Sequence, residues 1–159
     1  MVSKRDVQQF IDLIPEWKEY SRHLERIVLT ADDESDGHHA FYHRERTGGI
    51  FLHAWSDDLW VEVYQDYFYE HAHVLKKLGV VHEKVDEDIR CHFSPAQARA
   101  FVLLHVFMHE LGHHYDSLRY GPGEPRGGEQ FAEDFANRHL DLLWPKYVAA
   151  FGDPSRESR

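Results

Sequence analysis

Ser94-Pro95-Ala96-Gln97 opens the segment that does most to constrain the fold. Serine at the N-cap, proline at the first helical position and glutamine at the third form a capping box, so a helix starts here. From Ala98 through Phe101, Val102, Leu103, Leu104, Val106, Phe107 and Met108 the apolar residues circle the helix axis instead of keeping to one face. A helix of that kind is surrounded by core, and the other elements must pack around it. The breakers Gly121-Pro122-Gly123-Glu124-Pro125-Arg126-Gly127-Gly128 then end it and let the chain reverse. A second helix opens at Glu129. Along it Glu129, Ala132, Glu133 and Ala136 share one stripe, and Phe131 and Phe135 share another. The small alanines let that stripe pack closely against the first helix.

The central helix carries His109-Glu110-Leu111-Gly112-His113. Positions i and i+4 of a helix lie one above the other, so His109 and His113 can share one zinc ion, with Glu110 beside them as general base. Zinc lowers the pKa of a bound water to ~7, which is the chemistry of a hydrolytic site. A catalytic zinc takes three protein ligands and keeps one open position. A glutamate of the following stripe, Glu129 or Glu133, supplies the third. Gly112 costs about 1 kcal/mol relative to alanine inside a helix, which points to a close approach by another element. The metzincin arrangement is excluded, because Asp116 and Arg119 stand where its glycine and third ligand would be. Asp116 reads instead as an exposed aspartate near a helix end.

His109 and His113 followed by Glu129-x-x-Ala132-Glu133-x-Phe135-Ala136 resemble the zinc metallopeptidases with two histidines and a distant glutamate, the gluzincins. With Gly112 and His114 beside the motif, the pattern looks most like the ImmA/IrrE-type branch, with some similarity to M48-like peptidase cores. The resemblance covers residues 94–144. It implies a zincin-like fold, Glu129 as third ligand and Glu133 as an acceptor that holds a ligand histidine. Two features depart from the pattern: Glu133 stands where the family often has aspartate or asparagine, and Glu133-x-x-Ala136-Asn137 matches part of it in a second frame. Family members often act in regulation through a single repressor. The alternative to a general peptidase is therefore a metal-dependent regulator that cleaves one partner protein or none. No helix-turn-helix segment is evident in the sequence.

The rest of the chain reads as scaffold, and 159 residues suit one domain, 1–159. Residues 6–20 carry Val7, Phe10, Ile11 and Ile14 at helical spacing, with a break at Pro15. Residues 24–30, 40–44 and 50–55 have strand character, with a loop at 32–39 and a hairpin turn at Thr47-Gly48-Gly49. Beyond Ser56, the spacing of Trp60, Val63, Tyr64, Tyr67, Phe68, Val74, Leu75 and Leu78 predicts one long amphipathic helix ending at Gly79. Residues 88–93 read as a strand leading into the central helix. The expected class is α+β, a small, mostly antiparallel sheet packed with helices. In zincin-like folds an edge strand beside the metal aligns extended peptide, and 50–55 is the candidate, though its side chains read as core.

The remaining histidines read as structural or surface residues: His105 in an apolar run is a core histidine, and His38, His39, His43, His71 and His73 lack a third partner in sequence. His114, Tyr115 and Tyr120 stand close enough to the motif to be considered as transition-state donors. A net charge of −10 argues against nucleic acid and favours a protein or peptide partner, a basic one most easily. No apolar run approaches the ~20 residues of a membrane span, and Met1-Val2-Ser3-Lys4-Arg5 leads into no signal-peptide core. The lone Cys91 excludes an internal disulfide framework and reads as a buried structural thiol. A cytoplasmic setting is expected.

Overall fold

The structure is a computed structural model that describes residues 2–31, 37–42, 47–55, 57–120 and 127–156, with 37–42 and 120 described by their backbone alone. It is α+β, with two three-stranded sheets and several helices. Helix α1 (Lys4–Ile11) is fixed by a capping box between Ser3 and Asp6 and buries Val7 and Phe10. After the break at Pro15 comes the short α2 (Trp17–Tyr20).

Strands β1 (Leu24–Leu29), β2 (Gly37–Tyr42) and β3 (Thr47–Leu52) form the first sheet in the order β1-β3-β2. β3 runs antiparallel to β2 but parallel to β1, so this sheet is mixed. Three expectations change here. Residues 37–39 are strand and not loop, whereas 32–36 lie outside the described residues. Thr47, Gly48 and Gly49 are strand residues paired with Tyr42, Phe41 and Ala40. A Cβ at Gly49 would come within 3.2 Å of the Phe51 ring and 3.3 Å of Arg26, so that glycine serves close packing rather than a turn. Finally, β3 is the central strand. Ile50 and Leu52 are buried in the core as read, but its backbone is paired on both sides and β2 is the edge strand packed near the central helix.

The second sheet also corrects the sequence reading. β4 (Trp60–Tyr64) occupies the start of the predicted long helix, followed by two short helices, α3 (Gln65–Glu70) and α4 (Ala72–Leu78), that meet at His71. Trp-Val-Glu-Val-Tyr is rich in β-branched and aromatic residues, and a five-residue stretch satisfies both periods. Antiparallel pairing with β6 (Asp88–His92), which also pairs β5 (Val81–Val85), decides in favour of strand. Gly79 ends α4 in the left-handed conformation with φ 72°.

The central helix follows as expected. The Ser94 hydroxyl oxygen accepts from the Gln97 backbone N–H, and the Ser94 backbone N–H donates to Gln97 Oε1. The Gln97 amide also donates to the carbonyls of Leu78 and Gly79, tying the start of α5 (Pro95–Phe101) to the end of α4. A π-helical segment at Val102–Val106 joins α5 to α6 (Phe107–Tyr120). Every residue from Phe101 to Met108 is buried, as a helix apolar all round requires. Helix α7 (Gly128–Phe151) packs along α6 and contributes Phe135, Leu140, Leu143 and Tyr147 to the same core as Phe10, Leu52 and Leu78.

Candidate metal centre

Two crossings on α6 and α7 fix the geometry of the site. A Cβ on Gly112 would fall 2.9 Å from the Ala132 Cα and 3.2 Å from the Phe135 Cβ. The glycine between the two histidines is thus a point of close approach to α7, and the missing side chain lets the helices touch backbone to backbone. The second tie is Asp116. Far from exposed, it is wholly buried, and its Oδ2 accepts from the backbone N–H groups of Gly127 (3.0 Å) and Gly128 (3.2 Å). That carboxylate holds the start of α7 against α6, one residue before Glu129.

Held this way, Glu129 meets both histidines. His113 Nε2 and His109 Nε2 are 3.1 Å apart, and Glu129 Oε2 lies 3.2 Å from the first-turn His109 Nε2 and 3.3 Å from His113 Nε2. Tetrahedral bonds of ~2.0–2.1 Å would set their outer atoms ~3.3–3.4 Å apart, so the three atoms form nearly one face of a zinc tetrahedron. The donor set of two imidazoles and a carboxylate is also one that zinc accepts. The imidazoles are largely covered, at 18% and 17% exposure, whereas the Glu129 side chain at 84% leaves the solvent side open.

Glu133 lies behind His109. Its Oε2 is 3.3 Å from His109 Nδ1, and Asn137 donates to its Oε1 at 2.8 Å. Of the two glutamates, Glu129 faces the shared Nε2 atoms and Glu133 faces the far nitrogen of one ring. A proton on His109 Nδ1 donated to Glu133 leaves Nε2 for a metal, the usual arrangement of a ligand histidine. Burial alone would lower the His109 pKa, but the Glu133 hydrogen bond and the charges of Glu110, Glu133 and Glu129 outweigh it and raise it. The field that holds a proton on this ring is the field that would draw in a divalent cation. His113 is shifted the other way, by burial and by its neighbour His109. Burial would raise the Glu133 carboxyl, yet the His109 hydrogen bond, the His105 and His71 rings and the Asn137 amide hold it down at about 2.

Glu110 is buried at 7% exposure and lines a cleft of about 510 Å³ together with Tyr67, Glu70, His71, His105, His109, Glu129 and Glu133. Two of the neighbouring donors considered from sequence, His114 and Tyr115, point elsewhere. His114 donates from Nε2 to the Arg22 carbonyl (3.0 Å), the Tyr115 hydroxyl donates to Glu19 (2.7 Å), and the side chain of Tyr120 lies outside the described residues.

Sequence reasoning missed His71. It stacks on Tyr67 with ring centroids 3.9 Å apart, and its Nδ1 lies 2.8 Å from the Tyr67 carbonyl. Its Nε2 faces Glu133 Oε2 at 4.0 Å, and His105 Nε2 faces the same oxygen at 3.7 Å. His105 is buried as read, but its Nδ1 has no hydrogen-bond partner, and burial pushes its pKa down to about 3. His73 is a surface residue near Asp141. The side chains of His38, His39 and His43 lie outside the described residues. Cys91 is buried and free, its thiol pushed up to about 11 by burial. No helix of the described residues is long and apolar enough to cross a membrane. Set against known protein families, characterised proteins and solved structures, the chain matches none.

Proposed function

We propose that the protein is a zinc-dependent metallopeptidase of zincin-like fold. The observation that carries this reading is the triangle of His109, His113 and Glu129, whose three ligand atoms lie 3.1–3.3 Å apart, opening on the cleft that Glu110 lines. A zinc ion held there supplies Lewis acidity, polarising a peptide carbonyl and acidifying a water to a pKa of ~7. Glu110 takes the proton of the attacking water as its oxygen adds to the carbonyl carbon. Glu110 then delivers that proton to the amide nitrogen as the C–N bond breaks, giving an acid and an amine. Glu133 keeps His109 in the tautomer that leaves Nε2 for the metal, and the Asn137 amide holds Glu133.

Glu70, Glu110, Glu129 and Glu133 make the cleft acidic, which with the net charge of −10 favours a protein or peptide substrate carrying basic side chains. Extended substrate is assigned to β2, the edge strand near α6, by strand addition. The single free thiol fits a reducing, cytoplasmic setting.

The test is Glu110→Gln. It should retain zinc and fold while losing about 100-fold or more of turnover on a casein-type substrate or on a protein that co-purifies with the chain. An active Glu110→Gln variant would remove the assigned base. Silence of the wild type on casein with cleavage of one co-purifying protein would assign it a single regulatory substrate.

A further inference from the structure

Behind the first triad a second set of donors converges: His71 at the junction of α3 and α4, His105 in the π-helical segment, and Glu133 on α7. One ligand atom from each lies within 4.8 Å of the other two. Both rings are buried, and the set lines the inner wall of the cleft.

The hydrogen bonding restricts what can fill this place. The His71 Nδ1 is 2.8 Å from the Tyr67 carbonyl, which only accepts, so that nitrogen carries the proton. The His71 Nε2 then faces Glu133 Oε2 at 4.0 Å, beyond hydrogen-bond reach of that oxygen. His105 Nε2 at 3.7 Å from that oxygen is likewise beyond hydrogen-bond reach. Two ligand atoms on one ion with ~2.1 Å bonds can be at most ~4.2 Å apart, and a tetrahedral pair is ~3.4 Å apart. The separations of 3.7 and 4.0 Å fall between these limits. A backbone carbonyl orienting the far nitrogen of His71 is the arrangement that ligand histidines commonly show.

We propose that His71 Nε2, His105 Nε2 and Glu133 Oε2 form a second divalent-cation site, adjoining the first through the His109–Glu133 contact. Two imidazoles out of three donors select a zinc-, cobalt- or nickel-like ion over calcium or magnesium, which take oxygen ligands. The second ion offsets part of the negative charge of the four cleft glutamates and gives the inner wall a Lewis-acidic point. The site does not rest on the peptidase reading, since none of its donors belongs to the His109, His113 and Glu129 triangle.

The full-length chain, freed of metal, is titrated with zinc and with cobalt(II), following stoichiometry by calorimetry and the imidazole nitrogens by NMR. The wild type should take two equivalents. His71→Gln should keep one and weaken the other at least tenfold, and His113→Gln should keep the one that His71→Gln loses. One equivalent lost in His71→Gln but kept in His113→Gln would support this site and overturn the first. One equivalent indifferent to His71→Gln would overturn this site alone, and no binding would overturn both. If His71→Gln fails to fold, the wild-type nitrogens decide. A shift of the His71 and His105 Nε2 signals on metal addition supports the site, and unmoved signals mean that a proton or a water bridges the rings.

Discussion

Glu133 and Glu129 are one helical turn apart and chemically identical, yet they meet opposite nitrogens of the same histidine ring. Their substitution should therefore separate. Glu129→Ala is expected to weaken metal binding at the His109 and His113 site more than Glu133→Gln, which should cost about 10–100-fold by releasing the ring it orients. Competition against a zinc chelator gives the ranking, and the reverse order would make Glu133 the third ligand. At this scale the sequence was informative where chemistry is local. That His109 and His113 come together follows from their i, i+4 spacing on one helix, and the alanines beside Glu129 mark the face that packs on α6. His71 could not be found this way, because His105 and Glu133 are distant from it in sequence and approach it only once α3, the π-helical segment and α7 have packed.

Helices α6 and α7 place the candidate site by two contacts that can be tested separately. Gly112→Ala should destabilise the fold by about 1–3 kcal/mol, since the added methyl meets the Ala132 backbone at 2.9 Å and overpacking outweighs a helix-propensity gain of about 1 kcal/mol. Thermal unfolding would show this as a lower midpoint, and an unchanged midpoint would mean the helices can part without cost. Asp116→Ala, which frees the N–H groups of Gly127 and Gly128, should lower stability by about 1–3 kcal/mol and weaken metal binding through a loosened Glu129. Chelator competition on folded variant checks the second effect, with Asp116→Asn, which keeps an acceptor oxygen, expected to restore most of it. The helix from Ser94 and the one from Glu129 were legible because caps, breakers and periodic alanines are local signals. The π-helical segment was not, because an apolar run without polar markers does not reveal an extra residue in the turn. Strand β4 was misread because its pairing with β6 is decided across residues 60–92, beyond the reach of a periodicity window.

Across the whole molecule, one core joins the N-terminal helix, both sheets and the long helices, and it buries several histidines with it. His139 is one that lies outside the candidate site: it packs between Phe135 and Tyr20 and donates from Nδ1 to the Phe135 carbonyl at 2.7 Å. Burial lowers its pKa in the folded chain. The unfolded chain therefore takes up the proton first, near pH ~6.5, so the stability that neutral His139 contributes is present above that pH and lost as pH falls below it. The slope per proton approaches ~1.4 kcal/mol per pH unit. Between pH 7 and pH 5 the midpoint of the metal-free protein should fall more steeply for the wild type than for His139→Gln. Equal slopes would mean that His139 takes up its proton while folded.

If α6 and α7 together hold a metal ion, as proposed, the purified chain carries it. The most direct measurement is the metal content of the purified chain by inductively coupled plasma mass spectrometry, after mild dialysis and without added zinc, for the wild type beside His113→Gln. The expected result is zinc retained by the wild type and about one equivalent fewer in the variant. Metal-free wild type that also fails to bind zinc on titration, or a variant that retains as much as the wild type, would contradict it.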